Sequence, residues 1–373
     1  MNRGRHTRFR VRRRLLAALA TSVFTPLSGA RIASRESLVT PYASATPGRV
    51  LRFPADEGSH PAFRVEWWYV TGVLDTGTGQ LGFQITFFRT RPDRTTANPS
   101  AFSPSQVLIA HAALSDPRER RLLHRQSAAR TGFGLAEALE GRTAVWIDGW
   151  RLEQREGRYS VRLPFDEFGF ELELTPTQPP LLNGDHGYSR KSPREGAASY
   201  YYSLPQLDVS GTVQRTDRTV PVTGRAWLDH EWTSSYLDER AHGWDWIGIN
   251  LADGGALMAF RMRSPDGSAL WAGATLRSVD GAVRVFQPGQ VRFAPLRHWQ
   301  SPRTGVRYPI AWQVQLGDTR RYAVEPFMDD QEQDARSTTG TVYWEGAVRL
   351  LENGRLAGAG YLELTGYWRP LKL

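Results

Sequence analysis

The chain has 373 residues, 40% of them hydrophobic and 11% aromatic, with 35 glycines and no cysteine. That length suits one large or two ordinary domains, and the lack of cysteine excludes disulfides, a thiol nucleophile, a cysteine zinc site and a lipid-modified cysteine anchor. The net charge of +9 does not point to nucleic acid: seven of the 47 basic residues lie within the first 30 positions with no acid among them, and the other 40 face 38 acids without forming an Arg/Lys stripe.

Residues 1–30 have the three parts of an export signal. A basic region ends at Arg14, the apolar stretch "LLAALATSVFTPL" follows, and Ser28 and Ala30 supply small residues for cleavage. Consecutive arginines before Leu15 and Leu16 also fit a twin-arginine signal. A periplasmic or secreted location is expected. Residues 31–50, rich in Pro, Ala and Ser, read as a linker. No later run of 18 apolar residues exists, so no spanning helix is predicted, while peripheral contact with a membrane stays open.

From Leu51 onward strand patterns dominate. "EWWYVTGVLDTGTGQLGFQITFFR" reads as a hairpin with its turn at "DTGTGQ", and "VLIAHAALSD" as a further strand. "TAVWIDGWRLEQREGRYSVRLPF" reads as a hairpin around "REGR", and "FELELTP" alternates like a half-buried strand. "GWDWIGINLADGGALMAFRMR" repeats the style of the first hairpin at an offset of 177 residues, Trp67 matching Trp244 and Leu74 matching Leu251. "TGFGLAEALEGR" is the best short helix candidate. Many short strands without βαβ alternation predict an all-β protein: two lipocalin-like antiparallel barrels packed together, residues 51–240 and 241–373.

No G-x-S-x-G elbow, H-E-x-x-H zincin motif or Walker loop is present. Chemistry-bearing residues concentrate instead in "WLDHEW" and "GWDW". If Asp229–Trp232 is extended, His230 and Trp232 share one face, and Asp229 and Glu231 the other. On the following strand Trp244 and Trp246 share a face and Asp245 points away. The plain account of these residues is packing, with hydrogen-bonded polar groups among barrel-end tryptophans. The functional account is a pocket with aromatic walls and few polar groups, in which a buried acid donates protons. Trp67, Tyr69, Tyr202, Trp244 and Trp246 are the candidate walls. His230, Trp232, Asp229, Glu231 and Asp245 are the candidate catalytic groups. Glu345 and Glu363, on closing strands, also stand at candidate inward positions.

Together, "EWWYVTG", "YYSLPQLDVSG", "WLDHEW", "GWDW", "YWEGAV" and "GYLELTGY" resemble the carotenoid 1,2-hydratase (hydroxyneurosporene synthase) superfamily of two-domain lipocalin-like proteins, over nearly the whole chain after Leu51. The resemblance implies cofactor-independent addition of water to the C=C of an apolar polyene or terpenoid, with no metal. It requires a desolvated acid, aromatic faces for a cation and a group that orients water. The His-x-Trp pair of those hydratases is similar to His230 and Trp232. Where they are expected to carry a Tyr and an Asp on the next strand, this chain has Phe260, Arg261 and Met262. A second function therefore stands beside the hydro-lyase: a non-catalytic carrier or transport accessory for a hydrophobic ligand, working with an ABC-type export system, as exported members of the superfamily are often described.

Overall fold

The computed structural model describes residues 42–92, 105–216 and 218–371. The segment read as an export signal, residues 1–30, lies outside them. Among the described residues there is no α-helix, only two 3-10 turns, Ala55–Glu57 and Pro288–Gln290. Everything else that is regular is antiparallel strand, as the alternating pattern predicted.

Two sheets result. In the first, Val65–Asp75 lies between Gln80–Thr90 and Arg218–Ser235; Ala198–Arg215 and Phe168–Thr175 extend the sheet on one side, and Val107–Ser115 and Leu123–Arg130 on the other. In the second, Gly243–Leu251 lies between Ala256–Arg263 and Arg355–Leu364, followed by Thr341–Glu352. Each sheet curls around its own apolar core, one set on Trp68, Phe83 and Trp232, the other on Ile247, Trp312 and Trp344. A third cluster, including Tyr69, Tyr201, Trp227, Trp246, Phe260 and Tyr361, fills the junction where the sheets face each other. In both sheets the opening strand pairs with the last long strand, so the 177-residue repeat in the sequence is a repeat of topology.

One sequence signal resolves differently. "TGFGLAEALEGR" forms no helix. Gly132, Phe133 and Gly134 all take positive φ (116°, 58° and 72°), a left-handed run that cannot continue a right-handed helix, and Ala136–Ala138 pairs with Ala144–Ile147 as strand. The "DTGTGQ" turn joins Val65–Asp75 to Gln80–Thr90, as the sequence predicted. Residues 42–50 run against the first sheet: Ala45 is buried, and Thr46 takes its backbone hydrogen bond from N–H to the Tyr200 hydroxyl at 2.9 Å.

Candidate functional site

The strand Arg218–Ser235 is paired on both sides through "LDHEW". Asp229 sits opposite Tyr69 and Ser203, His230 opposite Trp68 and Tyr202, Glu231 opposite Trp67 and Tyr201, and Trp232 opposite Glu66 and Tyr200. Because side chains alternate, the strand divides its polar residues between two environments, as the sequence suggested.

One face looks into the first barrel. His230 Nε2 lies 2.9 Å from Glu66 Oε1 and its Nδ1 3.2 Å from the Tyr202 hydroxyl. His60 reaches the same carboxylate through Nδ1 at 2.7 Å, with its Nε2 3.0 Å from Asp56. Arg89 donates from Nε to Glu66 Oε2 at 2.7 Å. The imidazoles lie on indoles, His60 on Trp232 and His230 on Trp68, with ring centres 3.8 and 4.7 Å apart. Burial pushes His230 down to about 4 against the pull of Glu66. Burial alone would raise Glu66, but hydrogen bonds from His230 and His60 and the charge of Arg89 hold it well below the usual carboxylate range. His60, Glu66 and His230 are the described residues whose donor atoms converge as metal ligands would.

The other face looks into the junction. Asp229 accepts hydrogen bonds from Trp227 Nε1 at 2.6 Å, Ser203 Oγ at 2.5 Å and Tyr201 at 2.7 Å. Burial nevertheless lifts its carboxyl to about 7, outweighing those three donors. Glu231 pairs with Lys191 Nζ at 2.7 Å and accepts from Ser199. Lys191 is fully buried, donates to Ser189 Oγ at 2.9 Å and lies over the rings of Phe260, Tyr201 and Tyr236. From the second sheet come Glu345 and Glu363, directly opposite each other on neighbouring strands. Burial, and then the like charge of Glu363, push Glu345 well above the usual range. Burial raises Glu363 to about 7 even though Trp244 Nε1 donates to it at 2.8 Å. Tyr69 and Trp246 meet edge to face between the two sheets at 5.3 Å, and Trp246 Nε1 donates to the Tyr201 hydroxyl at 3.0 Å. A cleft of about 640 Å³ opens beside this cluster, lined by Tyr188, Ser189, Arg190, Met258, Phe260 and Trp271, among others. Met258 and Phe260 belong to the junction cluster too, so the cleft and that cluster share a wall.

The predicted set therefore splits. Trp67, Tyr69, Trp244, Trp246, Asp229 and Glu231 meet at the junction, while His230, Trp232 and Tyr202 face the barrel interior. Asp245 joins neither group. It accepts from Arg261 Nε at 2.6 Å, Arg263 Nε at 3.1 Å and the Tyr367 hydroxyl at 2.8 Å, and is fully buried in that ion-pair network. Sequence reasoning missed Tyr201, which lies in the junction cluster while the candidate wall Tyr202 faces the barrel interior, and Lys191. A signal for the latter existed: Lys191 is one of two lysines in a chain otherwise confined to arginine. It also missed His60, Glu66 and Arg89, although Glu66 opens the "EWWYVTG" motif.

The AttH-like family model matches residues 44–367. The chain belongs to the AttH-like family. This fits the resemblance to the carotenoid 1,2-hydratase superfamily carried by the motifs. Among solved structures, an AttH-type protein from Nitrosomonas europaea is 51% identical, with a TM-score of 0.82 over 87% of this chain and 99% of that one. Kievitone hydratase from Fusarium solani subsp. phaseoli is 22% identical over 212 residues, which span 54% of this chain and 58% of that protein. The structure of kievitone hydratase from Nectria haematococca shares the fold, with a TM-score of 0.64 at 14% identity, covering 88% of this chain and 97% of that one.

Proposed function

We propose that this AttH-like protein is a cofactor-independent hydro-lyase that adds water to a C=C of an apolar polyene or terpenoid at the junction between its two sheets. The observation that carries this reading is the Glu345–Glu363 pair. Burial raises both carboxyls and they stand in direct register, so the like charges oppose joint ionisation and the pair holds a proton near neutral pH. That proton is the acid an alkene needs. Transfer to one alkene carbon leaves a cation on the other, next to the faces of Tyr69, Trp246 and Trp227. Water, oriented by a carboxylate acceptor such as Asp229, adds to the cation, and its surplus proton returns to the glutamate pair, so the product is substrate plus one water. The kinship with kievitone hydratase supports the reaction class.

The test is direct. Purified protein is incubated with acyclic polyenes in detergent and products are followed by mass. A gain of 18 mass units is expected, reduced at least ~100-fold in Glu345→Gln and Glu363→Gln, the lower end of the range for a positioned proton donor. Equal turnover in both variants would overturn the assignment of the acid pair; no product from any apolar alkene would overturn the reaction class.

A second reading has its own observation. Phe260 and Met262, buried at the junction, stand where the hydratases are expected to carry Tyr and Asp. In that reading the cleft holds an apolar ligand without turnover, as a carrier beside an ABC-type exporter. Quenching of tryptophan fluorescence by a ligand recovered unchanged would favour it. Residues 1–30, as a proposed export signal, put either activity in the periplasm or outside the cell, which a reporter fused after Ala30 would check.

A further inference from the structure

We infer that the interior of the first barrel is a binding site for a divalent first-row transition ion such as Zn²⁺, held by His60 Nδ1, Glu66 Oε1 and His230 Nε2. The site is on the opposite face of the strand from the acid junction, and the inference does not depend on the proposed reaction.

Three features of geometry carry it. First, the three donor atoms lie within 4.8 Å of one another, with Glu66 Oε1 2.7 Å from His60 Nδ1 and 2.9 Å from His230 Nε2. Ligands about 2.0–2.2 Å from a shared tetrahedral ion stand roughly 3.4 Å apart, so each imidazole–carboxylate edge need open by only about half an ångström to admit the ion. Second, each imidazole has a partner on its far nitrogen: Asp56 Oδ1 lies 3.0 Å from His60 Nε2, and the Tyr202 hydroxyl 3.2 Å from His230 Nδ1. Such outer partners fix the tautomer in which the near nitrogen presents a lone pair to a metal. Asp56 is itself held, by Arg49 and by the Arg52 amide at 2.6 and 2.7 Å. Third, nothing in the set can swing freely. The rings are stacked on Trp232 and Trp68, while Arg89 Nε and the His60 amide pin the carboxylate at 2.7 and 2.9 Å.

Protons occupy this position when metal is absent. His60 lies within hydrogen-bond reach of both Asp56 and Glu66, and bridging the two carboxylates at once requires a proton on each nitrogen. An ion at the centre replaces the proton between His60 and Glu66. The His230 proton shifts to Nδ1, facing the Tyr202 oxygen, and binding releases protons to solvent. Two imidazoles and one carboxylate suit Zn²⁺, Co²⁺, Mn²⁺ or Fe²⁺ and are too poor in oxygen for Ca²⁺. The sequence shows no compact metal motif because the ligands come from a loop and two distant strands.

The experiment uses the full chain, stripped with chelator and then titrated with Zn²⁺ and Co²⁺. Expected are about one Zn²⁺ bound per chain, proton release on binding, a melting temperature that rises with free Zn²⁺, and visible Co²⁺ bands of a four- or five-coordinate site. A His60→Gln/His230→Gln double variant should lose all of these, while His124→Gln/His298→Gln, altered elsewhere, keeps them. Retention of Zn²⁺ in the first variant would overturn the inference. Should that variant not fold, the unaltered chain decides alone: no Zn²⁺ held after dialysis would overturn it equally.

Discussion

At the scale of single residues, the tension in the molecule sits on Glu345 and Glu363. Glu345 is buried and Glu363 half-buried, and the two face each other on neighbouring strands. The folded chain keeps a proton on Glu363 up to about pH 7, whereas an exposed glutamate gives it up near 4.5. A raised folded value means that stability is full below 4.5 and is lost as pH rises through 7. Glu363→Gln removes this titration but can still accept from Trp244. The variant should match the parent near pH 4.5 and exceed it by roughly 1–3 kcal/mol above pH 7, as read from urea unfolding at the two pH values. A stability difference between Glu363→Gln and the parent that is the same at pH 4.5 and 8 would show that Glu363 does not hold the proton in the fold. If Glu363→Gln is more stable yet inactive, the strain at this position serves the chemistry rather than the fold.

At the scale of elements, polar latches between the sheets add a second pH response, of opposite sign. His111, on Val107–Ser115, bonds the Tyr343 hydroxyl of the second sheet at 2.8 Å and Thr338 at 2.9 Å. Burial pushes its imidazole down to about 3, so the unfolded chain binds a proton below 6.5 that the folded chain refuses. Stability is therefore full above pH 6.5 and lost as pH falls from there towards 3, by up to about 4 kcal/mol. His111→Gln should flatten the acid limb of a stability–pH curve between 6.5 and 4, and an unchanged slope would refute this. The elements also show what the sequence could reveal. Period-two alternation was enough to separate His230 from Asp229, because a strand paired on both sides keeps strict faces. The Glu345–Glu363 encounter was not readable. The Asn353-Gly354 turn sets Glu352 opposite Arg355, and uninterrupted pairing from there would put Glu345 opposite Leu362. A bulge at Leu350/Leu351 shifts the ladder by one residue and brings the two acids together. The interior His–Glu–His set was equally hidden, since His60 precedes the first strand and only tertiary packing returns it to Glu66.

At the scale of the whole molecule, the two sheets behave as repeats set face to face, and their carboxyls follow the repeat. Asp229 pairs with Tyr69 as Glu363 pairs with Trp246, and Tyr69 and Trp246 are themselves related by the 177-residue offset. Neither sheet alone assembles the acid cluster, so its geometry depends on how closely the sheets approach. Gly82 marks that limit. A Cβ there would stand 2.5 Å from the Ala347 Cβ and 2.7 Å from the Tyr361 hydroxyl, both on the second sheet. Gly82→Val should thus cost about 1–3 kcal/mol through overpacking and push the sheets apart at the junction while both ladders persist. The near-ultraviolet circular dichroism of the junction tryptophans should weaken with little change in the far ultraviolet, and alkene turnover should fall although Gly82 touches none of the acids. A Gly82→Val protein with native near-ultraviolet signal and full activity would mean that the close approach of the sheets is not what organises the site.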